Sequence, residues 1–199
     1  VIACAVALVL LLDASASIRA DEWQMQLDGH AAALESPEVA RVIERGGPVA
    51  VTAFAFSDDA VPVLPWRVVA SAADARAAAQ ALRQAPRGVP LGTDLPGALR
   101  AALRALSAAP RPCEREVVDL VTDGEAAAPV RERAYAEAQG VTVNALAVGP
   151  VTAADWLREH AITPGGFVLR AEGWADFHRA ILRKLVLELA SWTPTSAPD

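Results

Sequence analysis

The stretch "VIACAVALVLLLDASAS" (Val1–Ser17) decides the fold, because it admits two readings. As a targeting segment, an apolar run followed by Ala-Ser-Ala has the form of a secretory signal peptide with a small-residue cleavage site. As structure, it is a strand buried on both faces that carries Asp13, Ser15 and Ser17 into the loop at its carboxyl end. The first reading needs a positively charged segment ahead of the run. It also leaves Asp13 between the run and the cleavage site, and it removes the first strand of a sheet that the rest of the chain completes. The strand reading is therefore preferred, and a signal peptide, if there is one, is expected upstream of Val1.

Outward from this strand the pattern changes. Trp23, Leu27, Ala31 and Leu34 recur at helical spacing over Asp21–Leu34. "SPEVARVIERGG" begins a second helix, with Ser36 as N-cap and Pro37 at its first position, and Gly46-Gly47 ends it. "VAVTAFAF" (Val49–Phe56) and "VPVLPWRVV" (Val61–Val69) read as strands. The short "SDDA" between them leaves no room for a crossover helix, so they pair antiparallel. Pro62 and Pro65 lack a donor N–H and place the second of them at a sheet edge. Helices follow at Ser71–Ala85 and Leu95–Ser107, separated by the loop "PRGVPLGTDLPG", with Asp94 as a cap. Then come a strand at Arg115–Gly124 ending in a polar turn, a helix at Pro129–Gln139, a strand at Val141–Val148 and a helix at Thr152–His160. "GFVLRA" reads as a short strand and Trp174–Ala190 as an amphipathic helix. Strands alternating with helices, apart from one hairpin, predict an α/β doubly wound, Rossmann-like sheet that is mostly parallel, with one antiparallel edge strand and helices on both faces. No internal repeat or linker is evident, so residues 1–192 read as one domain and 193–199 as a flexible tail.

Composition narrows the classes of function. The chain has 199 residues, 53% of them hydrophobic, and a net charge of −6. That charge gives no electrostatic case for nucleic acid. The longest apolar run, Val1–Leu12, falls short of the ~20 residues of a membrane helix, so no transmembrane segment is expected in this chain. Nothing in the sequence sets an oligomeric state. His30, His160 and His178 have no metal-ligand spacing and read as surface or helix-face residues. The five tryptophans are scattered and read as core or rim, and Asp58-Asp59 reads as a solvated turn.

In parallel sheets ligands sit beyond the carboxyl ends of strands. Three polar groups lie there: Asp13, Ser15 and Ser17 after the first strand, Thr93 in the loop before the Leu95 helix, and Thr122-Asp123-Gly124 after "VVDLV". All offer oxygen, and none offers nitrogen or sulfur. Hard cations such as Mg²⁺ prefer that set. Five of these residues, Asp13, Ser15, Ser17, Thr93 and Asp123, together with their chain order, make the sequence resemble von Willebrand factor type A domains, whose metal-ion-dependent adhesion site has the same five elements. The landmarks "SPEV", "PW" and "FHRAILRKLV" are most similar to an uncharacterised bacterial branch of that family.

The resemblance implies a divalent metal, Mg²⁺ or else Mn²⁺ or Ca²⁺, held by the Ser15, Ser17 and Thr93 hydroxyls, with Asp13 and Asp123 acting through bound water. It implies capture of a carboxylate on a protein or surface ligand, as an interaction domain and not an enzyme. The loop "GVPLGT" is less Gly-rich than in many relatives. Glu125 and Asp94 flank the site and are accounted for as helix-start acids. In the family's strand order the first strand and the "VVDLV" strand are neighbours. Cys4 lies nine residues before Asp13 and Cys113 ten before Asp123, so a disulfide between them fits the strand spacing. It would imply a periplasmic or secreted protein. Two buried free thiols are the alternative.

Two other functions remain in view. One is an assembly subunit acting with an AAA+ ATPase, an intracellular role that conflicts with a disulfide. The other is a Mg²⁺-dependent phosphatase of the haloacid-dehalogenase kind, which needs an acid where Ser15 stands. No P-loop or G-x-G-x-x-G motif is present.

Overall fold

In the computed structural model, which describes residues 4–190, the opening run forms a strand β1 (Cys4–Asp13) that is buried along its whole length. A strand reads as a continuous apolar run only when both of its faces are covered, and here they are. Leu8, Leu10 and Leu12 face one hydrophobic core, and Ala7, Val9 and Leu11 face the other. The helices α1 (Ala20–Glu35) and α2 (Pro37–Gly46) follow β1, and then the hairpin β2 (Val49–Phe56) and β3 (Ala60–Val69). Next come α3 (Ala72–Arg83), α4 (Leu95–Ser107), β4 (Cys113–Thr122), α5 (Val130–Ala138), β5 (Thr142–Val148), α6 (Val151–His160) and β6 (Val168–Ala171), and a 3₁₀ turn leads into α7 (Phe177–Leu189).

The strands form one sheet in the order β3-β2-β1-β4-β5-β6. All neighbours are parallel except β2 and β3. The proline-bearing strand β3 is the edge, as its missing donors require. The helices α1, α2, α3 and α7 cover one face and α4, α5 and α6 the other. Ser36 caps α2, its hydroxyl accepting from Val39 N at 3.1 Å, and Asp94 caps α4, its carboxylate accepting from Gly97 N at 3.0 Å. Glycine is required where α1 meets α7, because a Cβ at Gly29 would lie 2.7 Å from the Phe177 ring.

Cys4 and Cys113 are direct partners across β1 and β4 and form a disulfide, with Cα atoms 4.4 Å apart. Pairing of the two strands at their amino ends brings the thiols together, while the aspartates go to the opposite end.

Three expectations need correction. The segment at Trp174–Ala190 is not one helix: a 3₁₀ turn at Trp174–Asp176 precedes α7. His30 is not on the surface. It is fully buried, with Nδ1 2.7 Å from the Gln26 carbonyl oxygen one helical turn back, and burial pushes its imidazole pKa down, toward the neutral form. Asp58 is exposed, but it is more than a solvated turn, as its contact with the Thr93 loop shows below. The tail, residues 193–199, and Trp192 lie outside the described residues.

The core facing α7 contains a charge cluster. Lys184, the chain's only lysine, is fully buried on α7, 2.5 Å from Asp119 Oδ1 of β4 and 2.6 Å from Glu188 Oε1 one turn on. Asn144 Nδ2 of β5 also donates to Glu188 Oε1 at 3.1 Å. Burial and the adjacent Asp119 carboxylate hold the Glu188 carboxyl well above the usual carboxylate range. The cluster is balanced when Lys184 and Asp119 are charged and Glu188 keeps its proton. With Lys184 against Asp119 Oδ1, that proton supplies a donor for the carboxylate oxygens that lack one, Glu188 Oε2 and Asp119 Oδ2.

Candidate metal centre

The parallel pairing of β1 with β2 and β4 brings three loops to one end of the sheet. Asp13 ends β1 and is buried, and each of its carboxylate oxygens has a donor. Ser15 N donates to Oδ1 at 2.8 Å, and the Thr122 hydroxyl at the end of β4 donates to Oδ2 at 2.6 Å. The Asp13 backbone oxygen accepts from Gln26 Nε2 of α1 at 2.7 Å. Asp13 is thus a fixed post around which the loop turns.

The turn places the two serines side by side, with their hydroxyl oxygens 3.1 Å apart. Ser17, exposed at the rim, donates to Asp123 Oδ1 at 2.9 Å across to the β4 loop. Four of the five residues named from the sequence therefore converge in one hydrogen-bonded set, Asp13, Ser15, Ser17 and Asp123. Thr93 is half-buried in the adjoining loop, and no hydrogen bond joins its hydroxyl to the other four.

The Thr93 loop is nevertheless firmly held. Ala16 N donates to Leu91 O at 2.8 Å, Asp94 N to Ser57 O at 2.7 Å, Gly92 N to Asp58 Oδ1 at 2.7 Å and the Ser57 hydroxyl to Val89 O at 3.0 Å. Arg87 reaches from the same loop to the metal-loop backbone, its guanidinium donating to Ser15 O at 2.7 Å and also to Ile18 O. A loop with few glycines is stitched at both ends to its neighbours.

Sequence reasoning assigned no role to Thr122, Gln26 or Arg87. Thr122 stands in the polar turn Thr122-Asp123-Gly124 at the end of β4 and was legible in principle. Gln26 and Arg87 carry no motif, and only the packing of α1 and of the Arg87 loop shows their contacts.

Burial pushes the Asp13 carboxyl pKa up, against the hydrogen bonds from Ser15 and Thr122 that lower it, and the Asp123 charge adds to the rise. A buried carboxylate with a second carboxylate charge nearby favours a cation beside it. Among the described residues no three His, Cys, Asp or Glu side chains converge, so the donors here are two carboxylates and neutral hydroxyls. That set fits a hard divalent cation that keeps part of its water shell.

The sheet order, the single antiparallel edge and the loop cluster at the carboxyl ends define a von Willebrand factor type A fold. Residues 3–193 match the family described as "Protein of unknown function (DUF1194)", and the chain belongs to it. Among solved structures, proximal thread matrix protein 1 from the mussel byssus, with a zinc-occupied MIDAS motif, superposes with a TM-score of 0.67 at 22% identity over 95% of this chain and 49% of that one. A von Willebrand factor type A protein from Catenulispora acidiphila gives a TM-score of 0.64 at 18% identity, over 94% of this chain and 43% of that one. The vWF domain of the type V pili tip protein Mfa5 from Porphyromonas gingivalis gives 0.60 at 11% identity, over 99% and 100%. This chain spans about half the length of the first two. No curated protein sequence matches it.

Proposed function

We propose that the loop cluster holds a divalent cation, Mg²⁺ by the hardness of its donors, and that the chain is a binding domain that captures a carboxylate on a protein or surface ligand. The observation that carries this reading is the chain of contacts Ser15–Ser17–Asp123 beside the fixed Asp13 carboxylate. Ser15, Ser17 and Thr93 would hold the ion through their hydroxyls, and Asp13 and Asp123 would balance its charge. When bound, the cation offers an electrophilic position that an acidic group can fill. The disulfide supports a periplasmic or secreted location and speaks against the intracellular role beside an AAA+ ATPase. Among the described residues no helix is long and apolar enough to cross a membrane. The neighbours include a pilus tip domain, which supports a protein partner.

Thermal unfolding in Mg²⁺ against EDTA tests the site. Mg²⁺ at ~100 times its Kd adds about 2.7 kcal/mol to the stability of the folded state, or ~5–11 °C in Tm for a chain of this size. Asp13→Ala is expected to abolish that response. Identical curves with and without Mg²⁺ for the wild type would overturn the metal reading. Thr122→Val keeps the shape of the side chain but removes the donor to Asp13 Oδ2. It is expected to raise the Mg²⁺ Kd by about 10–100-fold, the usual effect of losing a group that orients a metal ligand, as read from a titration of Tm against Mg²⁺. A pull-down from an envelope fraction in Mg²⁺, with an EDTA control, then identifies the partner.

A further inference from the structure

A second concave site lies on the flank of the molecule, where α4 packs against α5. It is an open groove of about 360 Å³ whose lining includes Arg100, Leu103, Arg104, Arg131, Glu132 and Tyr135. The size is that of a small-molecule pocket. Its lining holds three arginines and one carboxylate, so it is locally cationic although the chain as a whole carries −6. Glu132 is buried and pairs with Arg100, which fixes that guanidinium on the wall. Arg104 and Arg131 are exposed, and among the described residues neither side chain has an ion pair or a hydrogen bond. The apolar part of the lining is Leu103 and the Tyr135 ring, which is 57% exposed. Exposed aromatic surface of this kind suits stacking on a ring or an aliphatic body. Arg131 stands in the first turn of α5, whose N-terminus has no side-chain cap, so the partial positive charge of the helix end adds to that of the arginines.

We propose that this groove binds a small ligand carrying a phosphate or carboxylate on a ring-sized apolar body. Arg104 and Arg131 supply planar forks that match either oxyanion, Arg100 contributes a fixed charge, and Tyr135 with Leu103 takes the apolar part. The site uses none of the residues of the metal centre and stands whether or not that centre binds metal.

The test uses the whole chain in EDTA, so that no anion can bind through a divalent cation. Phenyl phosphate, benzoate, inorganic phosphate and phenol are titrated by calorimetry. Saturable binding of phenyl phosphate or benzoate, tighter than that of inorganic phosphate or of phenol and weakening as salt rises, is expected. The tighter of phenyl phosphate and benzoate identifies the acidic group. Arg104→Ala/Arg131→Ala, on exposed positions, is expected to lose at least about tenfold in affinity with Tm unchanged. Tyr135→Ala is expected to weaken phenyl phosphate while leaving inorganic phosphate unaffected. No saturable binding of either aromatic anion at millimolar concentration overturns the proposal, as does equal binding by the wild type and the double arginine variant.

Discussion

Lys184→Met is expected to destabilise the protein by about 3–5 kcal/mol, which lowers Tm by ~6–20 °C for a domain of this size. The methionine fills most of the lysine's volume, so little of the loss comes from packing. The loss comes from charge. Asp119 stays fully buried on β4 with no cation against it, and Glu188 Oε1 loses its 2.6 Å donor. Replacing the whole cluster (Lys184→Met, Asp119→Leu and Glu188→Leu) is expected to recover most of the stability, because a buried ion pair contributes little net of its desolvation. Denaturant melts of the two variants decide the matter. If Lys184→Met unfolds at the wild-type midpoint, the cluster does not balance charge as described.

Glu188 sharpens the test. Its folded-state pKa is raised by burial and by Asp119. A raised carboxyl contributes stability that is complete below its unfolded value and is lost as pH rises through its folded value. Stability is therefore expected to decline with rising pH above the usual carboxylate range, and Glu188→Gln, which resembles the protonated acid, should flatten that decline at a cost of about 1 kcal/mol or less.

Opening the Cys4–Cys113 disulfide is the other large effect. The bridge spans a sequence separation of 109, and the loop-closure account gives about 4–5 kcal/mol for a loop of that length. Reduction, or the double substitution Cys4→Ser/Cys113→Ser, is thus expected to lower Tm by roughly 8–20 °C. Both residues sit at the amino ends of β1 and β4, away from Asp13 and Asp123 at the carboxyl ends. A protein that remains folded after reduction should therefore keep its response to Mg²⁺. A melting curve unaffected by reductant would show that the strand pairing needs no covalent tie.

Much of the fold was legible because its determinants are local. The unbroken apolar run of β1 states that both of its faces are covered. Two prolines put β3 at the edge, and Ser36 and Asp94 start their helices by capping free amides. The spacing of the polar loops after the strands, together with a family resemblance, was enough to nominate Asp13, Ser15, Ser17, Thr93 and Asp123. Through that resemblance's strand order it also favoured a bridge between the cysteines over two free thiols, since parallel neighbours that share an end for their aspartates share the other end for their thiols.

Other features depend on which residues meet after the chain has folded. His30 reads from sequence as a helix-face residue, yet the angle at which α1 packs buries it. An amphipathic pattern cannot tell a lysine that reaches solvent from one that faces a strand aspartate, and Lys184 became a core residue only because β4 and α7 bring Asp119 and Glu188 to it. Periodicity records which side of an element turns inward. The partner that awaits it there is set by sheet order and helix packing between segments far apart in sequence. The support that Gln26, Arg87 and Thr122 give the metal loops, like the arginine-lined groove between α4 and α5, was for that reason decided by the tertiary structure alone.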